Sequence, residues 1–209
     1  IVIVPMLREK PEDKELLDYC SGIEKELKAA GIRVLVDAKP TKSAEKRWNW
    51  VRKGAPVIVE IGGRDAAGGN VTYMRRDSLR DGDKVMSHTS PRAEFVAKAP
   101  ALLDEIQARL YAEAKTRLDT NIVSNIASFE DLAAFFGVAA ADDEGGDFRG
   151  WAKVAWSRPE GAKLEALAER LKGLKLTIRN APLVQEPVKG ACLFTGEPAK
   201  EYVLIARAY

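Results

Sequence analysis

Residues 38–54 combine positive charge with aromatic surface. The cations are Lys39, Lys42, Lys46, Arg47, Arg52 and Lys53, the single acid is Glu45, and Trp48 and Trp50 lie among them. Cations that hold phosphates and rings that stack unpaired bases are what single-stranded RNA binding requires. A solvated amphipathic helix that turns one tryptophan into the core would have the same composition. The composition leaves both interpretations open.

A second polar group follows in the turn Glu60-Ile-Gly-Gly-Arg64-Asp65. Guanine presents N1–H and N2–H donors on one edge and O6 and N7 acceptors on the other, so a carboxylate together with a cation suits it. An internal ion pair between Arg64 and Asp65 that closes the turn would fit equally well.

These residues lie where predicted strands end. Residues 32–36 and 56–61 are apolar, β-branched runs of strand length, and residues 43–53 between them are long enough for a helix that crosses over the sheet. With the apolar run 1–4 and a strand at 70–75, this order predicts βαβαβ and a partly parallel sheet. Loops at one edge of such a sheet commonly present binding groups.

After residue 90 the pattern changes. Ser90-Pro91 predicts a helix cap and first turn, followed by an apolar stripe that Pro100 interrupts or starts. Ser128-Phe-Glu-Asp131 resembles a capping box, residues 151–156 and 202–206 predict strands, and residues 159–172 predict a helix. We therefore expect a second α+β unit.

Bulk composition argues against a membrane protein. The 209 residues are 46% hydrophobic with a net charge of +2, and no apolar run approaches the roughly 20 residues that a bilayer helix needs. Cys20 and Cys192 have no second cysteine at metal-ligand or redox spacing, which suits a reducing cytoplasm. The chain opens on IVIVP without an initiator Met, so we expect a piece of a longer protein.

Hydrolytic and phosphate-loop chemistry find no support. His88 is the single histidine and has no Ser or Cys nucleophile motif nearby. Gly62-Gly63 and Gly68-Gly69 lack both the GxGxxG spacing and a following Gly-Lys-Ser/Thr, so we interpret them as turns.

The first half of the chain resembles the anticodon-binding domain of class II aminoacyl-tRNA synthetases, most closely that of the prolyl-tRNA synthetase family. The shared pieces are a strand ending in Val-Asp, a basic loop before a Trp helix, Lys-Gly-x-Pro, Glu-x-Gly-x-Arg-Asp, and a strand ending in Arg-Arg-Asp. The resemblance implies an α/β anticodon-binding domain at residues 1–95, with a mixed sheet flanked by helices. Residues 96–209 would form a linking helix and a smaller α+β C-terminal domain.

The resemblance also implies which side chains contact tRNA. The proline anticodon contains two guanines, and the positions that match the family's readers are Lys42, Lys46, Asn49, Glu60, Arg64 and Asp65, with Arg75 and Arg76 as phosphate contacts. Asn49 lies where an acidic residue is common in the family. Tyr209 resembles a terminal tyrosine whose carboxylate turns toward the catalytic domain.

The end of the chain is similar to the closing segment of archaeal and eukaryote-like members of that family. Ala191-Cys-Leu-Phe-Thr-Gly196 and the final Tyr209 carry this similarity. Members often hold zinc there with four cysteines, but here Cys192 matches the third ligand, Thr195 replaces the fourth, and residues 156–160 contain no cysteine. One thiolate cannot hold structural zinc, so we expect a remnant of the site without metal.

The resemblance implies part of a ligase that joins proline to tRNA(Pro) through an adenylate, using ATP and Mg²⁺, in the cytoplasm. Class II catalytic motifs are not found in this chain, so we expect it to bind the anticodon stem-loop, to need no cofactor and to be inactive alone. Its expected partners are tRNA(Pro) and the catalytic domain of the same chain, within a homodimeric parent enzyme. Two alternatives stay open: the corresponding domain of another class II synthetase, and a protein-interaction module whose basic helix docks an acidic partner.

Overall fold

The computed structural model describes residues 1–137 and 149–207. The chain divides into two compact units, Ile1–Glu113 and Ala114–Tyr209. Tyr209, which the family resemblance marks as a terminal carboxylate, lies outside the described residues. Among the helices that are described, none is both long and apolar enough to cross a membrane.

The first unit is built on a mixed sheet, as the sequence predicts. In chain order its strands are β1 (Val2–Pro5), β2 (Leu35–Val36), β3 (Val57–Ile61), β4 (Asn70–Arg75), a separate small hairpin of β5 (Arg80–Asp81) and β6 (Lys84–Val85), and β7 (His88–Pro91). The main sheet has the order β2-β1-β3-β4-β7. β1 runs parallel to β2 and β3, whereas β4 is antiparallel to β3 and β7. The ends of β1, β2 and β3 therefore meet at one edge.

Helices cover both faces of this sheet. They are α1 (Asp13–Ala29), α2 (Ser43–Arg52), the short α3 (Gly63–Ala67) and α4 (Arg92–Thr120). On one face α1 buries a stripe of 3–4 spacing, and α4 adds Phe95, Ala99, Leu102 and Ile106 to the same core. Because α4 packs into this core, the first unit extends past residue 95 to Glu113. On the other face α2 places Trp50 and Val51 against Ile58 and Met74.

Two expectations about residues 90–100 are wrong. Ser90 and Pro91 do not cap a helix: they close β7, where Ser90 pairs with Val71 of β4. The strand His-Thr-Ser-Pro has no apolar alternation, so the sequence gives no periodic signal for it. Pro100 lies inside α4 and neither starts nor ends that helix. The predicted strand at residues 32–36 is also shorter than expected, since only Leu35–Val36 pair with β1.

The second unit is α+β, as expected. Its elements are β8 (Ile122–Val123), α5 (Phe129–Phe136), β9 (Trp151–Trp156), α6 (Ala162–Gly173), β10 (Leu176–Asn180) and β11 (Glu201–Arg207). The sheet has the order β10-β11-β9-β8. Ser128 caps α5, because its Oγ accepts from the Asp131 N–H at 3.0 Å while Asp131 accepts from the Ser128 N–H, which confirms the predicted capping box.

Candidate nucleic-acid interface

Lys46 ties the ends of two parallel strands together. Its side chain is 2% exposed, and its ammonium donates to the carbonyls of Pro5, Asp37 and Lys39 at 3.1–3.2 Å. Pro5 ends β1 and Asp37 follows β2, so one side chain of α2 fixes both strand ends. Burial lowers the pKa of the Lys46 ammonium and Asp37 opposes that shift. This cation, which we expected among the base readers, is used inside the fold.

Glu60 is paired with a residue that the sequence did not single out. Arg47 Nη1 donates to Glu60 Oε2 at 3.1 Å and to Oε1 at 3.4 Å. The two side chains are 23% and 14% exposed, so the pair is largely shielded from water. Burial raises the pKa of Glu60, and the charge and hydrogen bonds of Arg47 act against that rise.

Glu60 begins a polar row that crosses the sheet. It pairs directly with Thr72 of β4, which in turn pairs with Thr89 of β7, so the three side chains share a face. The hydroxyls of Thr72 and Thr89 lie 3.0 Å apart, and Thr72 Oγ1 also donates to Asp65 Oδ1 at 2.8 Å. Carboxylates and hydroxyls in such a row can bond the edges of unpaired bases.

Asp65 and Arg64 have different environments within the turn. Asp65 is at the third position of α3, where its Oδ2 accepts from the Gly62 N–H at 2.9 Å. Arg64 is exposed, and its guanidinium makes no hydrogen bond or ion pair with any residue that the structure describes. The internal ion pair between Arg64 and Asp65 is thus not formed. Arg64 and Asp65 line a pocket of about 660 Å³ together with Met6, Arg8, Lys10 and Asp13.

The two tryptophans of α2 play different parts. Trp50 packs against the core, and its Nε1–H donates to Asp37 Oδ2 at 2.7 Å. Trp48 is partly exposed, with the guanidinium carbons of Arg47 and Arg80 at 5.4 and 4.9 Å from its ring. One tryptophan therefore fits the core interpretation, while the other leaves aromatic surface beside cations.

The remaining predicted residues separate into exposed and bonded groups. Lys42 and Arg76 are exposed, and Arg76 Nη1 donates to the Gly54 carbonyl at 3.2 Å. Asn49 accepts from Arg52. Arg75 is bound by Asp77, whose side chain is fully buried, at 2.9 Å and by Glu105 at 3.3 Å. Arg75 thus has carboxylate partners inside the protein, unlike Arg76.

Sequence reasoning missed Arg47, Thr72 and Thr89. Arg47 was counted only as part of the basic run, and nothing in that run marks it as the partner of Glu60. The two threonines join the site only through strand register, because pairing puts them on the same face as Glu60. A predicted β7 would have supplied that register, but its sequence has no strand pattern.

Known proteins are similar to this chain over its whole length. Residues 1–101 match the family model described as the anticodon binding domain. Over 215 aligned residues, the chain is 50% identical to a proline–tRNA ligase of Sphingomonas elodea, with 100% of this chain and 41% of the relative covered. The chain belongs to the prolyl-tRNA synthetase family. A proline–tRNA ligase of Bdellovibrio bacteriovorus is 38% identical, with 100% of this chain and 40% of that protein covered.

A solved structure shows the same fold. The crystal structure of prolyl-tRNA synthetase from Cryptosporidium parvum, complexed with L-proline and AMP, matches with a TM-score of 0.75 at 23% identity. The match covers 100% of this chain and 40% of the other. The chain thus spans about 40% of the length of the curated relatives it matches.

The expected remnant of a zinc site can be located in the second unit. Thr195, which replaces the expected fourth ligand, has its Oγ1 3.0 Å from the Oγ of Ser157, a residue of the segment 156–160 that contains no cysteine. Burial raises the pKa of the Cys192 thiol, but hydrogen bonds with the side chains of Ser157 and Thr195 and with the backbone of Phe194 and Thr195 together outweigh burial and leave that pKa below its ordinary value. Within residues 1–137 and 149–207, no three His, Cys, Asp or Glu side chains are grouped to hold a metal. Two hydroxyls and one thiol do not fit structural zinc.

Proposed function

We propose that this chain recognises the anticodon of tRNA(Pro) for a proline–tRNA ligase. The observation that carries the proposal is the polar row that starts at Glu60, beside Arg64 and Asp65, in the part of the chain that matches the anticodon binding domain. Guanine has adjacent N–H groups that can donate hydrogen bonds to a carboxylate, and its O6 and N7 can accept hydrogen bonds from a guanidinium.

The residues then take separate roles. Glu60, Arg64 and Asp65 bond base edges. Asn49 lies on α2, the helix that also carries Arg47, the partner of Glu60. Lys42 and Arg76 contact phosphates, because both are exposed. Lys46 and Arg75 act through the fold: Lys46 donates to three carbonyls, and Arg75 is paired with two carboxylates.

The parent enzyme would supply the chemistry. In it, proline is joined to tRNA(Pro) through an adenylate with ATP and Mg²⁺, and this chain contributes binding rather than a reacting group. We propose that its partners are the stem-loop of tRNA(Pro) and the catalytic domain of the same chain, in a cytoplasmic homodimer. A mismatched base would leave the remaining acceptor sites of the largely shielded Glu60 carboxylate without a donor, which reduces affinity.

The test compares two RNAs. Affinity is measured for a proline anticodon stem-loop and for the same loop with both guanines changed to adenine, at about 0.15 M ionic strength. We expect a preference for the guanine loop, reduced by about 1–3 kcal/mol in Arg64→Ala. Lys98→Ala is the control, since Lys98 lies on α4 and pairs with Glu94. Equal and steeply salt-dependent binding of both loops would instead indicate a basic surface that binds an acidic partner through charge alone.

Glu60→Gln should lower the preference without loss of stability. The folded-state pKa of Glu60 is raised, so the ionised carboxylate disfavours folding, and the stability present at low pH is lost as pH rises through the folded pKa. Glu60→Gln removes that penalty at neutral pH. Urea unfolding should show the variant at least as stable as the native chain at pH 7, with the difference narrowing as pH falls and Glu60 becomes protonated. A marked loss of stability at pH 7 would contradict this role.

A further inference from the structure

The Arg47–Glu60 pair leaves room for a ligand. One nitrogen of Arg47, Nη1, contacts both carboxylate oxygens. An ionised carboxylate has about four acceptor sites, so Arg47 occupies one on each oxygen and leaves the others free. Glu60 also keeps 14% of its side chain exposed. The carboxylate is therefore held in place and still has acceptor sites for a ligand.

Arg47 is itself held in place by its neighbours. It precedes Trp48, whose ring centroid lies 5.4 Å from the guanidinium carbon, and it follows the buried Lys46. Its Nε is buried and has no hydrogen-bond partner among the residues that the structure describes. A buried donor without a partner is unfavourable, and such groups call for an explanation in function.

In the described part of the chain, Arg47 is the charged group that contacts Glu60. On α2, Lys46 directs its ammonium to three carbonyls. On α3, Asp65 bonds Gly62 and Thr72 rather than Glu60. On β7, His88 lies on the opposite face, with its ring 5.3 Å from that of Tyr73. The protonation of Glu60 thus depends mainly on its burial and on Arg47.

Building on the proposed function, we propose that Arg47 is the positioning residue that makes Glu60 select guanine over adenine. An ionised carboxylate only accepts hydrogen bonds, so it suits the N1–H and N2–H of guanine and opposes the N1 acceptor of adenine. A protonated carboxyl also donates, and this exclusion of adenine would be lost. Arg47 supplies the positive charge that keeps Glu60 in the selective form.

The proposal predicts a pH profile. Burial raises the pKa of Glu60 and Arg47 limits that rise, so removal of the Arg47 charge should raise this pKa further. The preference for guanine over adenine should then disappear at a higher pH in a variant without the charge. If Arg47 only supported the fold, its removal would weaken the binding of both RNAs. It would not change the midpoint of the profile, which is the pH at which half of the preference is lost.

The experiment measures the ratio of affinities for the guanine loop and the adenine loop from about pH 5.5 to about pH 8.5. Arg47→Met should move the midpoint of this ratio to higher pH and lower the ratio about tenfold at a pH between the native and variant midpoints, with recovery above the variant midpoint. Arg47→Lys, which retains the charge, should restore most of the native midpoint. In a Glu60→Gln background, Arg47→Met should leave the ratio unchanged. If Arg47→Met fails to fold, Arg47→Gln serves in its place.

Arg52→Met is the matched control. Arg52 is an exposed cation of the same helix, and it donates a hydrogen bond to Asn49 rather than to Glu60. Its loss should therefore weaken the binding of both loops by the same factor. An unchanged midpoint in Arg47→Met, with the native chain still preferring guanine, would overturn the role of Arg47 alone. A native chain without any preference would overturn both this role and the proposed function.

Discussion

At the scale of single residues, two neighbours on α2 perform different tasks. Lys46 is buried and bonds backbone carbonyls, whereas Arg47 extends to the carboxylate of Glu60. Residues adjacent in a helix point in directions about 100° apart, so one can face the strand ends while the next reaches β3. The fixed position of Lys46 in turn helps to set where Arg47 lies.

Lys46→Met should destabilise the first unit. The substitution keeps most of the buried stem but removes a charged donor from three carbonyls, so we expect a loss of about 3 kcal/mol in the free energy of unfolding. Urea unfolding measures this loss. Lys42→Met, at an exposed position four residues earlier, should stay within about 0.5 kcal/mol of the native chain. Similar values for the two variants would contradict the structural role of Lys46.

At the scale of elements, the site depends on how α2 and the sheet end. The ends of the three parallel strands lie at one edge. Glu60 lies near the end of β3, and Arg64 and Asp65 follow that strand in α3. α2 covers Ile58 and Met74 but leaves the next pair along the strands, Glu60 and Thr72, at its margin. Gly54 allows the chain to turn after α2, with φ at +77°. The polar row is therefore the part of the sheet face where helix cover stops.

The cap of α5 offers a test in the second unit. Ser128→Ala removes the acceptor for the Asp131 N–H, and we expect a loss of about 1 kcal/mol, measured by thermal or urea unfolding. α5 carries Leu132 and Phe136 into the core, so fraying of its first turn affects packing. Ser43→Ala is the comparison, because Ser43 begins α2 and its hydroxyl bonds no residue in the described part of the chain. An equal effect at both serines would argue against the cap.

At the scale of the whole molecule, the net charge gives little information about a polyanionic partner, and the positions of the charged residues give more. The chain has a net charge of only +2. Yet several segments of the first unit expose cations, namely α2 with the residues on either side of it, the turn that follows β4, and the small hairpin. These cations are Lys39, Lys42, Arg52, Lys53, Arg76, Arg80 and Lys84. A local cluster of this kind attracts a polyanion even when the total charge is near balance.

Phosphate contacts should be visible as salt dependence. Lys42→Ala and Arg76→Ala should each weaken binding of the guanine and adenine loops alike and reduce the slope of log affinity against log salt by about one. Arg75→Ala is the informative contrast, because it removes the closer of the two arginine partners of the buried Asp77 and should lower stability instead. An unchanged slope for both Lys42 and Arg76 would remove them from the phosphate-contact set.

Much of this protein could be predicted from local sequence. β-branched runs and an apolar stripe of 3–4 spacing specify β3, β4 and α1, since strand and helix periods follow from backbone geometry. The capping box at Ser128 is equally local. Strand β7 was missed because His88–Pro91 owes its extended form to pairing with β4 rather than to its own pattern.

The sequence by itself determined the fold class, the family resemblance and the basic stretch beside Glu60, Arg64 and Asp65. Only the tertiary structure decided how those charges are used: Lys46 and Arg75 bond inside the protein, Arg64 is free of described partners, and Arg47 joins Glu60. The reason is that charge and residue type are local properties. Which ammonium is buried, and which hydroxyls share a face, depends on strand register and on where α2 packs across the sheet.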